Sequence, residues 1–367
     1  MTLTAKKSFR ICIVSEQLAG GGAERCSALL SQFFVAHNCM VHHVISIDKI
    51  EYEFAGEILN LGKLKKDYFN ISDRILRFQV LRSFFKINTF DYIIDTRVVN
   101  RQFQEFFIAK FIYNAPVIKM IHSYMTELYF PKNKTIANQI YSNYFKLITV
   151  SKAINGKVLN EYTYRQAETI YNPIDAINIE KKSSEPIESN GKYILAVGRM
   201  KDHVKQFDVL LRCYAASNLP GINIKLVILG DGPIKTELEV LSKSLDLEDK
   251  ILFKGTKNNP FPYFKNALFT VLTSKNEGFP TVLLESLACE TPVVAFDCQS
   301  GPSEIILDRE NGLLVDNQNE EKLIEAMNEM VFNEKLYYHC KQNAKESVSK
   351  FSLENIGKQW IKLLQVK

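Results

Sequence analysis

A chain of 367 residues, 46% hydrophobic and 24% charged, is long enough for two ordinary domains with a core each, which excludes a disordered or fibrous protein. The net charge of +5 is unevenly spread: 22 Lys+Arg against 15 Asp+Glu up to Asp175, and 24 against 26 after it. A basic first half can meet nucleic acid or an anionic bilayer, but no helix-turn-helix, zinc or RNA-binding motif accompanies it, so no nucleic-acid partner is expected.

Seven cysteines sit mostly in apolar surroundings and none forms a close pair of metal-ligand spacing. They read as reduced core residues of a cytosolic protein. No signal-peptide pattern opens the sequence, and no apolar run approaches the length of a membrane span. The expectation is a cytoplasmic protein, soluble or peripheral on a membrane surface.

Short apolar runs alternate with helical patterns throughout, the mark of βαβ units and parallel sheets. The predicted strands of the first half are 10–14, 41–47, 92–95, 116–121, 147–150 and 169–171. The first is followed by Gly20-Gly-Gly-Ala-Glu-Arg25, three glycines opening a helix, where backbone can approach a ligand at the carboxyl edge of a sheet. The spacing does not fit a dinucleotide-binding Gly-x-Gly-x-x-Gly loop.

Residues 74–86 form a predicted helix with Leu76, Val80 and Phe84 as its core-facing stripe. Its other side gathers Arg74, Arg77, Phe78, Leu81, Arg82, Phe85 and Lys86, with Lys63, Lys65 and Lys66 shortly before. Cations interleaved with large apolar side chains suit an anionic membrane surface. The predicted strand 116–121 ends at His122, and the aromatic and apolar residues Tyr124, Met125, Tyr129 and Phe130 follow closely.

Residues 176–192 are polar and turn-rich and read as an interdomain linker. The second-half strands are predicted at 193–197, 225–229, 251–253, 269–272 and 292–296. Gly198-Arg199 ends the first of these and Lys205 follows, so two cations can project where open α/β sheets bind ligands.

The most informative stretch is Ser274-Lys-Asn-Glu277-Gly-Phe-Pro-Thr-Val-Leu-Leu-Glu285. Pro280 suits the first position of a helix, which leaves the amides around Gly278, Phe279 and Thr281 at the positive end of its dipole, an anion cradle. Glu277 stands before it, and Glu285 lies inside an apolar run, where a carboxylate must be paired or met by a ligand. Amides suit phosphate and carboxylates suit vicinal hydroxyls, so the expected ligand is a nucleotide-sugar. Beyond it, residues 351–365 carry a last helix with Ser352 as its cap and Leu353, Ile356, Trp360 and Leu364 as its apolar face.

The Glu-x7-Glu pair headed by Glu277-Gly-Phe-Pro-Thr281 resembles the signature of the retaining glycosyltransferases of family 4. Tyr171-Asn-Pro-Ile-Asp175, Leu229-Gly-Asp-Gly-Pro233, Gly301-Pro-Ser-Glu304 and Asn311-Gly-Leu-Leu314 agree with that family in order and spacing. The resemblance implies a GT-B fold, two Rossmann-like domains facing across a cleft. Residues 1–175 would form the acceptor-side domain, joined by 352–367 crossing back onto it, and 176–351 the nucleotide-sugar domain.

In those terms Gly21 and Gly22 lie near the donor diphosphate and Arg199 and Lys205 neutralise it as it leaves. Glu277 faces the donor sugar, Glu285 holds the ribose diol, backbone near Thr256 holds the base, and His122 lies by the transferred sugar. One departure stands out: many relatives have glycine after the lysine, and this chain has Gln206. No Asp-x-Asp pair follows an apolar strand, so neither metal nor other cofactor is expected. The implied activity is transfer of a hexose or N-acetylhexosamine from a UDP-sugar to a saccharide acceptor, such as a lipid-linked, lipopolysaccharide, capsule or O-antigen precursor. The alternative is a catalytically silent GT-B scaffold or partner subunit.

Overall fold

The computed structural model describes residues 8–65, 71–99, 101–162, 164, 166–188 and 191–365. Lys66, and Ser189 and Asn190 of the expected linker, fall outside them. The chain divides into two compact units, one of Met1–Pro173 with Leu353–Lys367 and one of Ile174–Ser352.

Unit 1 is built on seven parallel strands: β1 (Arg10–Ser15), β2 (Met40–Ile45), β3 (Glu57–Asn60), β4 (Tyr92–Asp95), β5 (Val117–Ile121), β6 (Lys146–Thr149) and β7 (Ala167–Thr169). Their order is β3-β2-β1-β4-β5-β6-β7, so the direction of winding reverses between β1 and β4. Buried Ile11, Cys12, Ile13, Ile93, Ile94, Ile118 and Ile148 make near-continuous apolar strands, as a sheet covered on both faces requires. Strand β3 was not anticipated, because its burial pattern is only partial and no apolar run marks it.

Helix α1 (Gly22–Ala36) follows β1, and the helix Leu353–Leu364 packs on it, with Trp360 edge-on to Phe34 at 6.3 Å. Gly357 lies against the Phe33 ring, where a Cβ would overlap it, and Tyr92 Oη donates to the Leu364 carbonyl at 2.8 Å.

Helix α2 (Ile71–Ile87) corrects the predicted wheel. The inward residues are Asp73, Leu81 and Phe85, while Leu76 is 44% exposed. Apolar residues lie all round this helix, so periodicity alone does not choose a face. Packing chooses it: Phe85 meets Phe90 and Tyr113, and half-buried Arg77 turns inward to donate to the Ser46 carbonyl at 2.8 Å. Arg77 therefore leaves the surface set, and Arg74, Arg82 and Lys86 remain exposed. Helix α3 (Gln102–Phe111) joins β4 to β5.

Unit 2 opens with helix α4 (Ala176–Ser183), which corrects the expected linker. The Asp175 carboxylate accepts from the Asn178 amide at 3.1 Å as an N-cap and Ile179 is buried, so the first part of this polar stretch is a capped, anchored helix of unit 2 and not a free linker. Six parallel strands follow: β8 (Tyr193–Val197), β9 (Lys225–Leu229), β10 (Ile251–Gly255), β11 (Thr270–Leu272), β12 (Val293–Phe296) and β13 (Gly312–Val315). Their order, β10-β9-β8-β11-β12-β13, reverses between β8 and β11. Strand β13 falls on the Asn311-Gly-Leu-Leu314 motif, which gave no separate strand signal. All seven cysteines are buried. Among the described residues no helix is long and apolar enough to cross a membrane.

Candidate active site

In a parallel sheet every strand ends at the same edge, and ligands gather there where the winding reverses. In unit 2 that point lies between β8 and β11. Gly198 and exposed Arg199 follow β8, Ser274 and Glu277 follow β11, and exposed Thr256 follows β10.

The structure brings two expected residues into direct contact. Lys205 Nζ lies 2.5 Å from Glu277 Oε1, and Ser274 Oγ donates to the same oxygen at 2.6 Å. Both charged side chains are largely shielded, at 24% and 11% exposure. Ser274 had no assigned role from sequence, although a hydroxyl three residues before a site carboxylate was the available signal. The lysine loop is tied to the β11 end, since Lys275 N donates to the Val204 carbonyl at 2.8 Å and Thr273 Oγ1 lies 3.0 Å from the Lys205 carbonyl.

Gln206, the departure from the family glycine, holds the left-handed conformation, with φ 46° and ψ 46°. Its amide exchanges two hydrogen bonds with Gln318, of 2.8 and 2.9 Å, and Gln318 is left-handed as well, at φ 63°. The turn that glycine would make is thus kept.

Helix α5 (Thr281–Ala288) begins beyond Glu277. Pro280 occupies the cap position one residue earlier than expected and makes no side-chain cap hydrogen bond, and Leu283 N donates to the Pro280 carbonyl at 3.1 Å. Gly278, Phe279 and Pro280 are buried. They are clamped from behind: Ser300 Oγ donates to the Gly278 carbonyl at 2.7 Å, and a Cβ on Gly301, at φ +99°, would overlap the Pro280 ring. Gly230 is similarly required, since a Cβ there would strike the Gly198 carbonyl beside Arg199.

Glu285 is 5% exposed between buried Leu284 and Ser286. Burial, with Glu285 near, pushes the Cys289 thiol up to about 12, and burial with Glu277 near does the same to Cys298. Both thiols stay protonated and are poor nucleophiles.

Unit 1 holds the remaining expected residues. Gly21 is extended, at φ −135°, and caps α1, whose first residue is Gly22. His122 follows β5, and neither ring nitrogen has a hydrogen-bond partner among the described residues. Burial, aided by the Lys119 ammonium, lowers its pKa to about 3, so the ring is neutral at physiological pH.

A buried charge cluster beside it went unread. Lys119 and Asp95 are fully buried and 3.2 Å apart, Arg97 clamps Asp95 at 2.6 and 3.1 Å, and Glu105 and the Tyr113 hydroxyl complete the set. The two cations hold the Asp95 carboxyl well below the usual carboxylate range. A lysine within the apolar run 116–121 was the signal, because a buried ammonium requires a carboxylate partner. No group of three or more His, Cys, Asp or Glu that could hold a metal occurs among the described residues.

The family model described as "Glycosyl transferases group 1" matches residues 178–347, the part of the chain that carries the Lys205–Glu277 pair and α5. An N-acetylgalactosamine-N,N'-diacetylbacillosaminyl-diphospho-undecaprenol 4-alpha-N-acetylgalactosaminyltransferase of Campylobacter jejuni is 32% identical over 95% of this chain and 97% of its own length. The chain belongs to the group 1 glycosyltransferases. A second transferase of that organism, acting as an alpha-1,4-N-acetyl-D-galactosaminyltransferase on a diNAcBac-PP-undecaprenol glycan, is 28% identical over 97% of the chain and 98% of its own. Among solved structures, TarM superimposes with a TM-score of 0.79 at 15% identity, covering 98% of this glycosyltransferase and 99% of TarM. Anabaena HepE in complex with UDP-glucose gives 0.76 at 19% identity, over 98% and 100% of the two chains. The fold is therefore the GT-B fold, with two Rossmann-like parallel-sheet domains.

Proposed function

We propose that this glycosyltransferase is a retaining, metal-independent enzyme that moves a hexose or N-acetylhexosamine from a UDP-sugar to a lipid-linked saccharide precursor. The observation that carries the reading is the Lys205–Glu277–Ser274 cluster at the switch point of unit 2, beside the proline-led start of α5 with Glu285 buried within it. The relatives' names support the acceptor class and the HepE complex supports the donor class.

In this reading Arg199 and Lys205 neutralise the departing diphosphate together with the α5 amides. Glu277 orients the sugar hydroxyls, Glu285 accepts from the ribose diol, and the backbone at Thr256 holds the base. Gly21 and Gly22 allow close approach of the diphosphate, and neutral His122 offers its ring to the transferred sugar. The acceptor oxygen bonds to the anomeric carbon on the face from which the diphosphate oxygen departs. That oxygen takes the acceptor proton, so no protein nucleophile is needed.

The work would be done at the cytoplasmic face of a membrane, where α2 presents Arg74, Arg82 and Lys86 among exposed Ile71, Ile75 and Phe78. A panel of nucleotide-sugars tests the donor class by slow hydrolysis without acceptor, and excess EDTA tests the metal. Hydrolysis of a UDP-sugar that persists in EDTA is expected. Loss on chelation, restored by manganese or magnesium, would overturn the site as drawn.

A further inference from the structure

Helix α3 presents an apolar stripe that neither the transfer reaction nor the core uses. Phe103, Phe107 and Phe111 recur at i, i+4 and i+8 and are 76%, 52% and 65% exposed. The Phe107 and Phe111 rings lie 5.4 Å apart, so the stripe is continuous at that end. This is no failure to find a core side: the helix has its own inward face, where Ile108 is buried and Glu105 accepts from Arg97 at 3.2 Å. We propose that α3 is an apolar wedge that enters the headgroup layer of an anionic bilayer.

Charge selects that occupant. Glu105 is the one acid of the helix, and it is buried, so the charges on the exposed face are those of Arg101 and Lys110. The same side of unit 1 carries more cations. The connections β3-α2-β4 and β4-α3-β5 both advance in the same direction across the sheet, so right-handed crossover places both helices on one face. The two are joined there: Phe85 of α2 packs edge-on to Tyr113 at 5.3 Å, and the Asn114 amide donates to the Asn88 carbonyl at 2.9 Å. A second copy docking on this face would oppose like charges, whereas acidic lipid complements them.

The inference rests on the membrane reading of α2 and adds its apolar half. Cations alone give attachment that salt dissolves, whereas inserted phenyl rings hold when charge is screened. The test is co-sedimentation with vesicles of phosphatidylglycerol and phosphatidylcholine at low salt and at about 0.5 M salt. Wild type should bind in both, and the variant carrying Phe103→Ser, Phe107→Ser and Phe111→Ser should bind at low salt but lose at least fivefold at high salt. The variant carrying Arg74→Glu, Arg82→Glu and Lys86→Glu should lose low-salt binding. If it does not, the α2 reading fails alone.

The single tryptophan, Trp360, is fully buried, so Phe107→Trp adds a clean reporter. Its emission should be quenched by vesicles with brominated acyl chains. Release of wild type at high salt, salt-resistant binding by the triple serine variant, or absence of quenching overturns the wedge. So does a change of oligomeric state in the serine variant with vesicle binding unaltered, which assigns the stripe to a second copy.

Discussion

Glu277 and Lys205 neutralise each other at 2.5 Å, so on the proposed function an arriving diphosphate would compete with Glu277 for the ammonium and leave the carboxylate for sugar hydroxyls. Lys205→Ala should therefore weaken UDP binding, and calorimetry should show a loss of about 1–3 kcal/mol, the scale of hydrogen bonds to charged groups. Glu285→Ala should cost a similar amount while the fold persists, and unchanged UDP affinity would remove its ribose role. Glu285 was legible because it interrupts an apolar helix pattern and Glu277 because it stands just before that helix, whereas the partner of Lys205 was not, since sequence carries no distances. Gln206 supplies a separate test. At φ 46° a β-branched side chain is strained and glycine is not. Gln206→Val should lower stability by about 1–2 kcal/mol in denaturant unfolding, and Gln206→Gly should be near neutral.

At the scale of elements, the alternation of apolar runs with helical patterns made both parallel sheets legible. What it missed has physical causes. Strand β3 is half-buried and short, and α4 is polar by composition yet anchored by Ile179 and its Asp175 cap. Helix α2 is apolar on every side, so a period of 3.6 could not choose its face. The charge cluster linking β4 and β5 with α3 is a three-dimensional object that no local pattern reveals. Two buried anions, Asp95 and Glu105, balance two cations, Arg97 and Lys119. Asp95→Asn would strand a buried positive charge, and unfolding in urea should show about 3–5 kcal/mol of lost stability. A loss below about 1 kcal/mol would show that water reaches the cluster.

At the scale of the molecule, mild acid in the histidine range should act chiefly on unit 1. Burial against Phe54 lowers the His43 pKa to about 4, and His122 is lowered to about 3, both in unit 1. The unfolded chain binds protons at these positions near the ordinary histidine value of about 6.5 and the folded chain does not. Their contribution to stability is thus full above pH 6.5 and lost progressively as pH falls towards 4 and then 3. For His43 alone the span from about 6.5 to about 4 amounts to roughly 3 kcal/mol. Thermal unfolding between pH 7 and pH 4.5 should shift the unit 1 transition downwards, while UDP should raise that of unit 2. His43→Phe should flatten the pH slope, and an unchanged slope would remove this residue as its source.

Unit 1 is assembled from two stretches of chain with all of unit 2 between them, and its later stretch supplies Trp360 and the packing partner of α1. During synthesis the first sheet therefore emerges without that covering helix, which is made after every strand of unit 2. A chain truncated after Ser352 would hold all of the second unit and a first unit whose Phe33 and Phe34 lack the cover of that helix. The order of synthesis and the order of maturation are inverted, and the protein's one indole reports the moment of closure.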